Sequence, residues 1–142
     1  MTTTQPLKMS LLLAGLMAFS SGYAADKMSK DDYKAAKDKI EAEYKTAKDA
    51  CDGQKGNAKD VCVKEAKAKE KIAKAELDWN NTGKDSDRVK FEKTKATEEY
   101  AVAKEKCDDK KGADKSACKA EAKAAEKKAL ADIKAEKKVA TS

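Results

Sequence analysis

Apolar residues recur every three or four positions along this chain, which is the spacing of one face of an α-helix. No stretch alternates between apolar and polar residues as a half-buried strand would. The pattern therefore predicts an all-α fold. The first two apolar stripes are Tyr33, Ala36, Ile40, Tyr44, Ala47, Cys51 and then Val61, Ala68, Ile72, Ala75, Trp79.

Two more stripes follow, and glycines and polar residues between the stripes predict where the helices end. Gly53, Gly56 and Gly112 are stop signals, while Asn57 and Asp114 are candidate N-caps. The later stripes are Val89, Ala96, Tyr100, Ala103, Cys107 and then Cys118, Ala122, Ala125, Ala129, Ile133. The predicted helices span roughly residues 28–53, 58–79, 85–110 and 114–139, with a turn at Asn80–Gly83.

The chain contains one unit twice. The pattern Tyr-x-x-Ala-Lys-x-x-Cys-Asp-x-x-Lys-Gly, followed by Cys-x-x-Glu-Ala-Lys-Ala, occurs at Tyr44–Ala68 and returns 56 positions later at Tyr100–Ala124. A repeat of this length suits one helix–loop–helix unit. We therefore assign residues 25–86 to a first helical hairpin repeat and residues 87–142 to a second. Residues 1–24 form a separate leader.

Each unit carries two cysteines at the same places, Cys51 and Cys62 in the first, Cys107 and Cys118 in the second. Four cysteines allow three pairings, and the repeat favours Cys51–Cys62 with Cys107–Cys118 as structural disulfides. Zinc is the alternative, but structural zinc sites pair ligands about two to four residues apart. The C-x-x-C spacing of thiol oxidoreductases is also absent. We therefore expect no metal and no cofactor.

Short loops that contain glycine make neighbouring helices antiparallel, so each cysteine pair would face across the closed end of a hairpin. The predicted fold is two tandem disulfide-stapled antiparallel helical hairpins, four helices in all, arranged as a bundle or an extended array. Each disulfide should stabilise its hairpin by about 2–3 kcal/mol on the chain-entropy model. That contribution matters because large apolar side chains are few, which leaves only a thin core.

The N-terminus has the features of a secretory signal peptide. Lys8 supplies a positive charge, residues 11–19 form a short apolar run, and Gly22 and Ala24 give the small-x-small pattern of a cleavage site. We expect cleavage after Ala24, with Ala25 as the alternative. The run is shorter than the ~20 residues of a membrane-spanning helix. The leader and the cysteines together predict a periplasmic or secreted protein without stable membrane insertion after cleavage.

Charged residues make up 41% of the chain, with 32 Lys and Arg against 26 Asp and Glu. Loss of the leader removes Lys8, which lowers the net charge from +6 to about +5. Along the sequence Lys alternates with Glu and Asp, which is typical of a solvated helix surface rather than a basic patch. Nucleic acid is therefore not an expected partner. The expected partner is an unknown envelope protein or a second copy of the chain.

The segment between the two units partly resembles a calcium-binding loop. Asp78, Asn80 and Thr82 stand at ligand positions and Gly83 at the position of the turn glycine, but Val89 replaces the bidentate Glu. Calcium or metal binding by carboxylates of the turns is therefore kept as the alternative function.

Motifs for catalysis are absent from the sequence. The chain has no His, no serine nucleophile motif and no glycine-rich phosphate loop. Acid–base catalysis needs a pocket that perturbs a pKa, and the carboxylates here are interleaved with lysines that favour their ionised form. The aromatic residues Trp79, Tyr33, Tyr44, Phe91 and Tyr100 have the spacing of residues that pack between helices. We therefore expect a protein that is not an enzyme.

The doubled cysteine motif at Tyr44–Ala68 and Tyr100–Ala124 resembles that of small exported Ala/Lys-rich repeat proteins of beta-proteobacteria, a family without an assigned activity. The resemblance covers nearly the whole mature chain. The Lys-Ala-Glu composition is also similar to the helical spacer of TolA-type envelope proteins. The expected function is a structural, interaction or stress-protective role in the periplasm or cell envelope.

Overall fold

The computed structural model describes residues 27–140. The predicted leader and its predicted cleavage site lie outside these residues. The described part contains no strand and consists of four α-helices joined by short connections, which confirms the predicted all-α class. The helices are α1 (Lys30–Ala50), α2 (Gly56–Thr82), α3 (Asp85–Lys106) and α4 (Gly112–Ala140).

The hairpin loops differ from the predicted caps. Short 3₁₀ turns, Cys51–Gly53 and Cys107–Asp109, follow α1 and α3. Gly56 and Gly112 are the first residues of α2 and α4, with φ of 56° and 53°, so they start helices rather than stop them. Asn57 was predicted as an N-cap, which is wrong: it lies inside α2, and its Nδ2 donates to the Glu105 carbonyl at 3.2 Å. The side chain is used for a contact between helices instead.

The connection between α2 and α3 is shorter than the predicted turn. The segment Asn80–Thr82 is helical, so α2 runs to Thr82 and only Gly83 and Lys84 separate it from α3. Gly83 has φ of 63°, and its N–H donates to the Trp79 carbonyl at 2.7 Å. A residue in this left-handed conformation ends a helix, and glycine adopts it without the steric cost of a Cβ.

Each helix packs against its neighbours in sequence: α1 on α2, α2 on α3, and α3 on α4. Among the described residues, no other pair of these helices forms an interface of comparable size. The contact between α2 and α3 is the most extensive, and there Trp79 stacks on Phe91 with ring centroids 5.6 Å apart. The helices therefore form an open single layer, which is the extended array rather than the closed bundle.

The core of the layer is built mostly from small side chains, alanine and cysteine above all. Cys51 and Cys107 are the most deeply buried, at 0% and 1% exposure. Small residues let helix axes come close, but each contributes little apolar area. The other buried apolar residues are Ala66, Ala68, Ala75, Leu77, Val89, Ala96 and Ile133.

Helix α2 is apolar on two sides because it lies between two neighbours. Ala66 and Ala73 line a recess with residues of α1. Ala68 and Ile72 line a groove with residues of α3. The helical spacing of Ala68 and Ile72 predicts an apolar stripe but does not say which helix covers it. That stripe forms the contact between the two repeats.

Candidate functional surfaces

Two disulfide bonds, Cys51–Cys62 and Cys107–Cys118, close the hairpins, with the pairing that the repeat favours. In each bond the Cα atoms are 5.7 Å apart and the partners are 11 positions apart in sequence. The described part of the chain has no free cysteine. All four sulfur atoms are thus held in structural bonds, and none is present as a thiolate ligand.

Both disulfides lie at the same end of the layer. Asn57, beside the first tip, donates to the carbonyl of Glu105, beside the second. Lys106 and Glu65 form an ion pair of 2.6 Å nearby. The opposite end holds the turn at Gly83, so one end of the layer carries both disulfides and the other end carries neither.

Lysines hold an aspartate at each tip. Asp52 pairs with Lys59 at 2.9 Å, and the hydrogen bond from Lys59 lowers the pKa of Asp52. Asp108 pairs with Lys115 at 2.9 Å and with Lys119 at 2.6 Å, and these hydrogen bonds lower the pKa of Asp108 to about 2. Both carboxyls are more acidic than usual. A general acid at neutral pH needs the opposite shift.

The residues of the candidate calcium loop are not arranged as a loop. Asp78, Asn80 and Thr82 lie in the last turns of α2. Asp78 accepts a hydrogen bond of 2.6 Å from the Tyr33 hydroxyl and pairs with Lys90 at 3.3 Å. The bond from Tyr33 is the largest cause of the lowered pKa of Asp78. Across residues 27–140, no group of three His, Cys, Asp or Glu side chains is placed to hold a metal.

The aromatic rings lie at helix–helix interfaces, as their spacing predicts. Trp79 and Phe91 join α2 to α3. Tyr44 lines the recess between α1 and α2. The Nζ atom of Lys123 lies 4.7 Å from the ring centroid of Tyr100, a cation–π contact between α4 and α3. The rings are partly buried and form no separate surface.

Three shallow recesses follow one another across one side of the layer. The recess between α1 and α2 and the recess between α3 and α4 each have about 180 Å³, and their linings correspond position by position at an offset of 56 residues. A groove of about 370 Å³ lies between them, and its apolar lining residues are Ala68, Ile72, Val102 and Ala103. Lys69 lines both the first recess and the central groove. We call this side of the layer the groove face.

The two smaller recesses each contain a carboxylate that is paired with a lysine, and the one in the second repeat is buried. Glu126 is 8% exposed and pairs with Lys123 at 2.7 Å. Its counterpart in the first repeat, Glu70, pairs with Lys74 at 2.7 Å, and Lys74 also reaches Glu41 of α1 at 3.0 Å. These pairs neutralise the carboxylates at the helix seams, which makes them structural contacts.

The opposite side of the layer is rich in lysine. Lys64, Lys67, Lys71 and Lys74 recur at spacings of three and four on α2 and therefore form one stripe. Lys71 pairs across the seam with Glu98 of α3 at 2.5 Å. Glu98 in turn lines a groove on α3 with Lys90 and Lys93, and Lys104 continues that stripe. We call this side the lysine face.

The two faces change the interpretation of the alternating charges. Neighbours in sequence point to different sides of a helix, so alternation along the chain separates into stripes in three dimensions. The groove face carries carboxylates on all four helices, whereas the lysine face carries mainly lysines. The charges that look mixed in the sequence are therefore partly segregated. The acidic stripe residues of the groove face are Glu43, Glu65, Glu76, Glu92, Glu99, Glu121, Asp132 and Glu136.

The layer also has two end faces, the outer sides of α1 and α4. Ala124 of α4 is exposed, although its counterpart in the first repeat, Ala68, is buried. Ala135 of α4 and Ala35 of α1 occupy the positions of the stacked Trp and Phe, and both are exposed. The end faces therefore lack the large side chains that join the two repeats.

Within residues 27–140, no helix combines the length and the apolar content that crossing a bilayer requires. The two disulfides fit an oxidising compartment. Comparison of the chain with protein-family models, curated proteins and solved structures found no match.

Proposed function

We propose that this protein is exported to the periplasm or cell envelope and acts there as a non-enzymatic scaffold that binds through its surfaces. Two disulfide bonds at one end of a helical layer carry the proposal. Disulfides form and persist in oxidising compartments, and small exported proteins use them when the hydrophobic core is insufficient. The small buried side chains of this layer meet that condition.

The character of the recesses supports a binding role rather than catalysis. The central groove is floored by alanine, valine and isoleucine, and its rim pair, Glu65 and Lys106, is joined at 2.6 Å. The most perturbed carboxyl, Asp108, has its pKa lowered to about 2 by two lysines at an open tip. A helical layer with distinct faces, whose two hairpins are closed by disulfides, suits the positioning of partners more than the activation of a substrate.

Fractionation of cells that produce the full chain tests this proposal. Osmotic shock should release the protein with periplasmic contents, without residues 1–24. A maleimide reagent should label none of its cysteines until the disulfides are reduced. Recovery of the protein in the cytosolic fraction, with thiols that react before reduction, would overturn the proposal.

A further inference from the structure

We propose that the lysine face docks the protein on the anionic phosphate headgroups of a lipid bilayer surface. This inference rests on the proposed function and names its partner. It concerns adsorption to the surface, with no helix inserted. Three features of the lysine face support docking: its excess of lysines outside ion pairs, the repetition of these lysines in both units, and the chemistry of the lysine side chain.

Ion pairs neutralise part of the acidic residues of the lysine face, and lysines remain in excess. Glu98 and Asp78 on this face are paired with Lys71 and Lys90. On α2, α3 and α4, two acidic residues of the face, Asp60 and Glu105, have no ion pair within the described structure. Six lysines of the face have none either. These lysines are Lys64, Lys67, Lys93, Lys104, Lys127 and Lys134.

The groove face of the same three helices has the opposite balance. Two of its lysines, Lys69 and Lys95, have no ion pair within the described residues, and both are exposed. Three of its carboxylates, Glu76, Glu99 and Glu121, have none. The uncompensated charge is therefore positive on the lysine face and slightly negative on the groove face. Such a polarity orients a protein toward an anionic surface.

Both repeats carry this polarity. Five positions of the lysine face hold lysine in both units, and three positions of the groove face hold a carboxylate in both. Some of the large packing side chains, such as Trp79 and Phe91, are not repeated. The charge pattern is therefore retained where packing residues differ. The lysine pairs are 34/90, 37/93, 48/104, 67/123 and 71/127, and the acidic pairs are 43/99, 65/121 and 76/132.

The chemistry of the face favours a bilayer over nucleic acid. The positive charges are lysines spread over adjacent helices of an open layer, rather than a single helix suited to a groove. Arginine gives the planar, bidentate contacts that favour base edges and individual phosphates. The one arginine, Arg88, lies toward the groove face, where it binds Glu92 at 2.7 Å and Glu136 at 3.5 Å. Lysines act as point charges, which suit a diffuse anionic surface.

A pair of matched double variants tests the proposal. Lys67→Gln with Lys93→Gln removes two charges from the lysine face, and Lys69→Gln with Lys95→Gln removes two from the groove face. Each double changes one residue of α2 and one of α3, and all four lysines are exposed and without an ion pair in the described structure. Glutamine and lysine have similar helix propensities. The two proteins therefore differ only in the face that loses charge.

The assay is cosedimentation of the oxidised protein with phosphatidylglycerol/phosphatidylcholine vesicles in about 0.1 M salt, where the screening length is ~10 Å. Each lysine near such a surface contributes about fivefold to binding, so the lysine-face double should bind about 25-fold more weakly. The groove-face lysines lie about one helix diameter farther from the bilayer surface, so salt screens their attraction to it. Their loss should therefore weaken binding only about three- to fourfold. Vesicles of phosphatidylcholine alone should bind neither protein.

Equal weakening by the two doubles would overturn the proposal, as would binding that persists in about 1 M salt. Tighter binding to a DNA duplex than to the anionic vesicles would also overturn it. None of these outcomes bears on the proposed function. That function is tested by the cell fraction and the thiol state, and neither depends on lipid binding. If the protein is oxidised in the periplasm but does not bind anionic vesicles, the docking proposal is overturned and the protein is a scaffold for another partner.

Discussion

Removal of one disulfide should destabilise the protein by an amount that the loop length sets. The bonds Cys51–Cys62 and Cys107–Cys118 each close a loop of 11 positions. The chain-entropy model then gives about 2.8 kcal/mol for each bond. With an unfolding entropy of about 2.1 cal/mol/K per residue over the helical layer, this loss lowers the Tm by about 12 °C.

Two double variants, C51A/C62A and C107A/C118A, measure this effect. Alanine is preferred to serine because Cys51 and Cys107 are buried and a hydroxyl would lack a partner. Urea unfolding followed by helical circular dichroism should show equal losses, since the two loops have equal length. Each double serves as the control for the other. A loss below about 1 kcal/mol in either, or losses that differ by more than that, would refute the reasoning.

Three further predictions concern the tips and the end faces. Gly56→Ala should lower the free energy of unfolding in urea by about 1–2 kcal/mol, because φ at Gly56 is 56°. Gly53→Ala is the control and should be nearly neutral, because φ there is not positive and a Cβ meets nothing within 4 Å. Equal losses in the two variants would contradict this explanation. The pKa of Asp108 is lowered from 3.8 to about 2, so its ion pairs stabilise the fold above about pH 4 and are lost as the pH falls through 2. The Tm difference between Asp108→Asn and the parent should therefore be present at neutral pH and vanish near pH 2, and a difference that grows in acid would contradict this assignment. Ala135→Trp with Ala35→Phe places on opposite end faces the two side chains that stack between the repeats. This double variant should associate in a concentration-dependent way in sedimentation, and neither single variant should. A monomeric double variant would refute the idea that the end faces stay unpaired because they lack the Trp and the Phe.

Much of this fold follows from local sequence patterns. The spacing of apolar residues predicts the helices, and the doubled cysteine motif predicts the hairpins and their disulfides, because both features depend on residues close in sequence. The order of packing was harder to predict. Ala66 and Ala68 are both buried, one toward α1 and the other toward α3, yet alanines are frequent everywhere in this chain. A stripe of alanine does not reveal which neighbour covers it.

The candidate surface was missed for a related reason. Lys67, Lys69 and Lys71 are close in sequence, but Lys69 lies on the groove face and the others lie on the lysine face. The helical period alone would separate them into stripes. Which stripes of adjacent helices share one side of the layer depends on tertiary pairs such as Lys71 with Glu98. The sequence contained the stripes, and the fold was needed to join them into a face.

Lysine footprinting of the parent protein tests the central claim most directly. The oxidised protein is treated with an acetylating reagent, free and bound to the native cell envelope, and the modified sites are read by mass spectrometry. On the envelope, Lys67, Lys93 and Lys127 should be protected from acetylation, while Lys69 and Lys95 should react as they do in solution. Protection of Lys69 and Lys95, with Lys67, Lys93 and Lys127 still reactive, would contradict the claim.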